Sequence, residues 1–235
     1  MTKTENRSIW NRGFTCAFFA NLLLCFSQHS VNTLISTYAD YLGAGAVLVG
    51  AISGLYFGVA FAARPISGPV ITLLDKKKII LITYAMGAVT NVVYAVAGTV
   101  PLFILARVLH GLQFAFVGSL NLTIASDSLP KEKLGSGIGV FGIGGALSQA
   151  IGPGMGIAIR DWGIRRWGEG GGYTVVFLTA AAFMLIALLP CALLPSQKST
   201  AEQRSALGPW YRNIVAKETL SSALLLCLVS LSSIL

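Results

Sequence analysis

Charge is scarce in this chain: Asp, Glu, Lys and Arg together make up only 11% of it, against roughly 25% in ordinary soluble domains. With 54% hydrophobic residues and a mean hydropathy of +0.73, that scarcity excludes a water-soluble globular protein. The net charge of +8 therefore points to membrane topology rather than to nucleic acid. Histidine is limited to His29 and His110. No His-Glu-x-x-His pair, Gly-x-Ser-x-Gly elbow or GxxxxGK[ST] loop occurs, so the motifs of a zinc protease, a serine hydrolase and an ATP-driven pump are all missing. Acidic residues inside the apolar runs are too few for an oxygen-ligand metal cage. The four cysteines, Cys16, Cys25, Cys191 and Cys227, lie in apolar runs without paired spacing. They form neither a disulfide framework nor a metal knuckle and read as small apolar helix residues. No enzymatic activity, cofactor or metal is expected.

What the chain has in quantity is long hydrophobic runs. A membrane-spanning helix needs about 20 mostly apolar residues. Six such blocks lie near 13–37, 46–72, 79–97, 101–126, 137–159 and 172–194, and a seventh runs from 219 to Leu235. The fold class that follows is an all-α integral membrane protein. The first block follows a basic leader, as a signal peptide would, but it is too long for one and carries Asn21, Gln28, His29 and Asn32. It reads as a retained first span. The stretch 195–218, PSQKSTAEQRSALGPWYRNIVAKE, is polar and reads as a linker. The seventh block ends without a polar flank, as in a chain cut short. The expected organisation is a six-helix bundle over 1–194, a cytoplasmic linker over 195–218 and the truncated start of a second bundle over 219–235.

Basic residues fix the expected orientation. Lys3, Arg7 and Arg12 precede span 1; Lys76, Lys77 and Lys78 follow span 2; Lys131 and Lys133 follow span 4; Lys198, Arg204, Arg212 and Lys217 follow span 6. All fall on one side, which the positive-inside rule makes the cytoplasm, with the N-terminus there. The other side has Arg160, Arg165 and Arg166 in an expected loop at 160–169, where Asp161 and Glu169 are placed to pair with them. Arg64 and Arg107 fall inside spans.

Span 4 carries the strongest motif. Arg107, Gly111, Phe114, Gly118 and Asn121 recur at helical spacing on one face, with His110 and Gln113 beside it. An arginine at mid-helix costs about 2.5–3.5 kcal/mol on the insertion scale. Two readings stand: a functional arginine facing a bundle interior, or one that snorkels about 9 Å along the helix to the interface near Pro101. Span 1 places Asn21, Gln28 and Asn32 in a stripe that lines a cavity or bonds to neighbouring helices. Span 5 is glycine-rich, with Gly142, Gly144, Gly145, Gly152, Gly154 and Gly156, and Pro153 is expected to kink it. Pro65, Gly68 and Pro69 are expected to end or bend span 2, before the charged turn of Asp75 and three lysines.

These motifs together resemble the major facilitator superfamily, in its drug-efflux and antiporter branches, over what would be its N-terminal half. ARVLHGLQFAF is similar to that family's span 4 motif, in which an arginine is followed four residues later by glycine. GALSQAIGPGMG is similar to its antiporter motif in span 5, with Ser148 and Ile157 where the pattern has glycine. RPISGPVITLLDKKK is similar to its loop 2–3 motif, with Thr72 at the usual aspartate and Asp75 at the second glycine. The resemblance implies two six-helix bundles around a central cavity. It also implies proton coupling through Arg107 with Gly111 for close packing, a hinge at Gly152, Pro153 and Gly156, and gating by Gly68, Asp75, Lys76 and Lys77. Asn21, Gln28, Asn32, Phe114 and Asn121 are the candidate cavity lining.

The expected function is secondary transport, a proton-coupled efflux of small organic compounds by alternating access. The expected partners are the lipid bilayer, protons, a small-molecule substrate and a second six-helix half. The expected location is the cell membrane. The alternative is a non-transporting truncated fragment or a membrane partner subunit.

Overall fold

The computed structural model describes residues 8–196 as a succession of long helices: α1 (Arg12–Tyr41), α2 (Ala46–Leu73), α3 (Lys76–Val96), α4 (Val100–Asp127) and α5 (Leu134–Leu193), with a short 3-10 turn at Lys131–Lys133. The leader 1–7, nearly all of the expected linker and the expected seventh span lie outside the described residues. Each of the five helices is long and apolar enough to cross a membrane.

Capping chemistry sets several boundaries. Asn11 opens α1, its side chain accepting from the Phe14 N–H at 2.9 Å. Asp75 opens α3 in the same way, accepting from the Lys77 N–H at 2.9 Å. Pro101 sits in the first turn of α4, where its missing N–H leaves no gap. Gly43 turns the chain between α1 and α2 at φ 83°, a conformation that favours glycine.

A straight helix of the 60 residues in α5 would be about 90 Å long, three times the hydrocarbon thickness. Gly168, at φ 76° and ψ −179°, leaves helical geometry and folds α5 back on itself. The result is two arms, 134–167 and 169–193, which match the fifth and sixth expected spans. The expected loop at 160–169 is a correction: the first arm stays helical through it up to the single break at Gly168. Such a tight reversal is possible because Gly163 faces Gly172, and a Cβ on Gly163 would sit 2.9 Å from the Gly172 Cα.

The prolines do not end their helices: of the end or bend expected at Pro65 and Pro69, the end is corrected. α2 runs unbroken through Pro65 and Pro69 to Leu73, and the first arm of α5 runs through Pro153 with helical backbone angles. Neighbouring groups and small local adjustments absorb the backbone groups that a proline frees in membrane helices.

α1 occupies the centre and touches both arms of α5. Ser30 Oγ donates to the Gly152 carbonyl on the first arm at 3.1 Å, and Ser27 Oγ donates to the Ala180 carbonyl on the second arm at 3.1 Å. α3 packs on α4 and on the second arm, while α2 leans mainly on α4. Two apolar clusters fill the interior. One gathers Phe14, Leu24, Tyr84, Leu120 and Met184; the other gathers Val31, Tyr38, Ile52, Tyr94, Phe103 and Phe177. α2 buries the least of itself and turns Phe57 and Phe61 outward.

Candidate functional site

Arg107 is only 3% exposed, although its guanidinium carries a full charge. Its guanidinium points sideways between α1 and α2. Nη1 donates to Asn32 Oδ1 at 2.7 Å, and Nε and Nη2 donate to the Ile52 and Ser53 carbonyls, each at 3.2 Å. Those carbonyls belong to a continuous helix, so the arginine uses their second lone pairs. The Tyr56 ring lies beneath, 4.7 Å from the guanidinium carbon, and adds a cation–π contact. Every partner is neutral, and among the described residues Arg107 has no carboxylate. A head held this way is not snorkelling toward the interface.

The rest of the span 4 face follows α4 away from this point. Phe114 stacks on Tyr56 with ring centres 4.8 Å apart. His110, buried, has its Nδ1 3.4 Å from the Tyr94 hydroxyl and its ring against Tyr56. Asn121 Nδ2 donates to Asn21 Oδ1 and to the Tyr84 hydroxyl, both at 2.9 Å. Thus the α1 stripe and the α4 face meet twice, through Asn32 with Arg107 and through Asn21 with Asn121. Gln28, the third member of the stripe, is buried with its Nε2 unpartnered among the described residues.

The glycines divide into two kinds. Gly111 lets α4 touch α2, because a Cβ there would lie 2.7 Å from the Tyr56 carbonyl oxygen. Gly152 and Gly156 do the same for the first arm of α5 against α1, where a Cβ would lie 2.7 Å from His29 Cβ and 2.7 Å from the Ser30 oxygen respectively. Ser148 fits this interface as serine: it is fully buried and its hydroxyl donates to the Gly144 carbonyl at 2.8 Å. Gly68 and Gly118, by contrast, face open space.

The residues of the 2–3 turn have separate partners. Lys76 is mostly buried and pairs with Asp127 at the end of α4. Asp75 caps α3 and accepts from the Ser196 hydroxyl at 2.7 Å. Lys77 supplies the capped N–H. On the opposite side Arg160 pairs with Asp161, Nη2 to Oδ1 at 2.8 Å. Sequence reasoning missed Tyr56, Tyr84 and Tyr94, which carry much of the polar contact. Their signal was the presence of tyrosine, an amphipathic residue, in the middle of apolar spans.

The sequence profile described as Major Facilitator Superfamily matches residues 17–235. The chain belongs to that superfamily. Among curated relatives, the multidrug resistance protein MdtG of Citrobacter koseri is 30% identical over 186 residues, covering 77% of this chain and 44% of that protein. The staphylopine export protein of Staphylococcus aureus is 30% identical over 139 residues, covering 58% of this chain and 34% of that protein. The chain thus spans less than half the length of these superfamily relatives. Among solved structures, a POT family transporter in complex with 5-aminolevulinic acid superposes with a TM-score of 0.69 at 13% identity, over 94% of this chain and 47% of that one. The human organic anion transporter MFSD10 gives 0.61 at 19% identity, over 79% of this chain and 47% of its own. Both show a shared fold.

Proposed function

We propose that this chain is the N-terminal half of a secondary transporter that exports small organic compounds in exchange for protons. In this reading the described bundle lies in the cell membrane with its N-terminus in the cytoplasm. Residues 195–218 form a cytoplasmic linker and 219–235 open a second bundle. The two bundles rock around a shared cavity to alternate access.

The observation that carries the reading is Arg107, a buried cation ringed by neutral acceptors. Such a charge is a standing positive potential in a medium that screens it poorly. A carboxyl group brought close to it in one conformation gives up its proton, and keeps the proton when moved away. Gly111, Gly152 and Gly156 support the motion, since close backbone contacts repack as units between helices. Lys76 with Asp127 and Asp75 with Ser196 tie helix ends on the cytoplasmic side and would open and close with it. Export rather than import is supported by the curated relatives, two of which are named for resistance and export.

The test is dye and drug efflux from whole cells expressing the full reading frame, with and without an uncoupler. Arg107→Ala is expected to abolish uncoupler-sensitive efflux while the amount of protein in the membrane stays unchanged. Unaltered efflux in that variant would remove the coupling role.

A further inference from the structure

Arg64 is accounted for neither by charge placement in the loops nor by the Arg107 cluster. It lies nine residues before α2 ends at Leu73, about 13 Å along the helix and inside the depth of a hydrocarbon slab. Its side chain is exposed and, among the described residues, has neither a hydrogen bond nor an ion pair. An unpaired guanidinium is costly in hydrocarbon, so the Arg64 head reaches water, by snorkelling or across an aqueous groove, or meets an anion.

A groove of about 320 Å³ opens beside it, lined by Arg64, Ser67 and Gly68 of α2 and by Phe114, Gly118 and Ser119 of α4. No carboxylate lines it. Both glycines border open space, since a Cβ on either would meet nothing within 4 Å. Ser67 Oγ donates to the Arg64 carbonyl at 3.1 Å and so braces the backbone under the arginine. Phe114 is held by its stacking on Tyr56 and presents a half-buried aromatic surface.

We propose that this groove is an anion-recognition subsite for a small organic compound. Arg64 grips an oxyanion, such as a carboxylate, through its planar fork, and the apolar body of the compound lies along Phe114 over the floor made by Gly68 and Gly118. An acidic side chain from a second bundle is the competing occupant, and the variants below distinguish the two. Calling that compound a transported substrate rests on the exporter reading above. Binding at the groove does not.

The experiment uses protein from the full reading frame in lipid nanodiscs and two probes that differ only in charge, 2-naphthoate and 2-naphthamide, in equilibrium dialysis. The wild type is expected to bind the naphthoate at least about tenfold more tightly than the amide. Arg64→Gln should erase that preference and Arg64→Lys should keep part of it. Gly118→Val, which adds bulk at the floor of the groove where a Cβ meets nothing within 4 Å, should weaken both probes. The proposal is overturned by equal binding of the two probes, by absence of naphthoate binding, or by an unchanged preference in Arg64→Gln. It is equally overturned if Arg64→Gln weakens both probes alike and lowers thermal stability, since that places a protein carboxylate opposite the arginine. A wild type that keeps the preference but shows no energy-dependent export retains the subsite and sinks the exporter reading instead.

Discussion

Gly111 and Gly118 lie on one face of α4, two turns apart, and look alike in the sequence, yet their surroundings differ. A methyl group on Gly111 must displace the α2 backbone at Tyr56, whereas one on Gly118 enters open space. Gly111→Ala is therefore expected to destabilise the folded protein by about 1–3 kcal/mol, as overpacking does, and Gly118→Ala to leave it unchanged or up to about 1 kcal/mol more stable. Thermal unfolding of the purified variants in one detergent checks this, and equal melting temperatures would refute it. Gly156→Ala belongs with Gly111→Ala, because the Ser30 backbone blocks it. The polar residues were legible as stripes: Asn21, Gln28 and Asn32 on α1, and Arg107 through Asn121 on α4. Their pairing was not. Backbone carbonyls at Ile52 and Ser53 and the face of Tyr56 hold Arg107, and an acceptor that every residue possesses leaves no mark in a sequence.

Helix existence was legible in hydropathy because lipid demands about 20 apolar residues per crossing. Helix interruptions were not, because the prolines at 65 and 69 suggest an end that α2 runs through, while the chain reverses at a single glycine. Gly168 sits at φ 76° and ψ −179°, a region essentially reserved to glycine, where an L-residue strains by roughly 1–3 kcal/mol. Gly168→Ala should lower the melting temperature, and Gly170→Ala is a poor control because Tyr41 already crowds that position. Loss of stability at Gly168→Ala without loss of membrane insertion is the expected outcome; an unchanged melting temperature would mean that the reversal tolerates a side chain. Another element-level contact, Lys76 with Asp127, joins the start of α3 to the end of α4. The Asp127 side chain is 40% exposed, so water screens the pair. A double-mutant cycle with Lys76→Met and Asp127→Asn should give a coupling of no more than about 1 kcal/mol, and a much larger value would mean that the pair is sealed from water.

At the scale of the whole molecule, the alternation of helix directions puts two sets of residues at opposite ends. Asn11 donates to the Ser128 carbonyl at one end, where Lys76, Asp127 and Asp75 also gather. At the other, Tyr38 donates to the Ala97 carbonyl and stacks with Tyr41, and Arg160 pairs with Asp161. The lysines concentrate at the first end, the end that the proposed function places in the cytoplasm. That assignment has a direct test. Thr99, between α3 and α4, and Ser136, at the start of α5, are both exposed and belong to opposite ends. With the native cysteines replaced, Thr99→Cys should react in intact cells with a maleimide that cannot cross the membrane. Ser136→Cys should react only after the cells are opened. The reverse pattern would invert the bundle and place Lys76, Asp127 and Asp75 outside. It would also separate two things that charge placement alone joins, the fold of the bundle and the side of the membrane from which its groove fills.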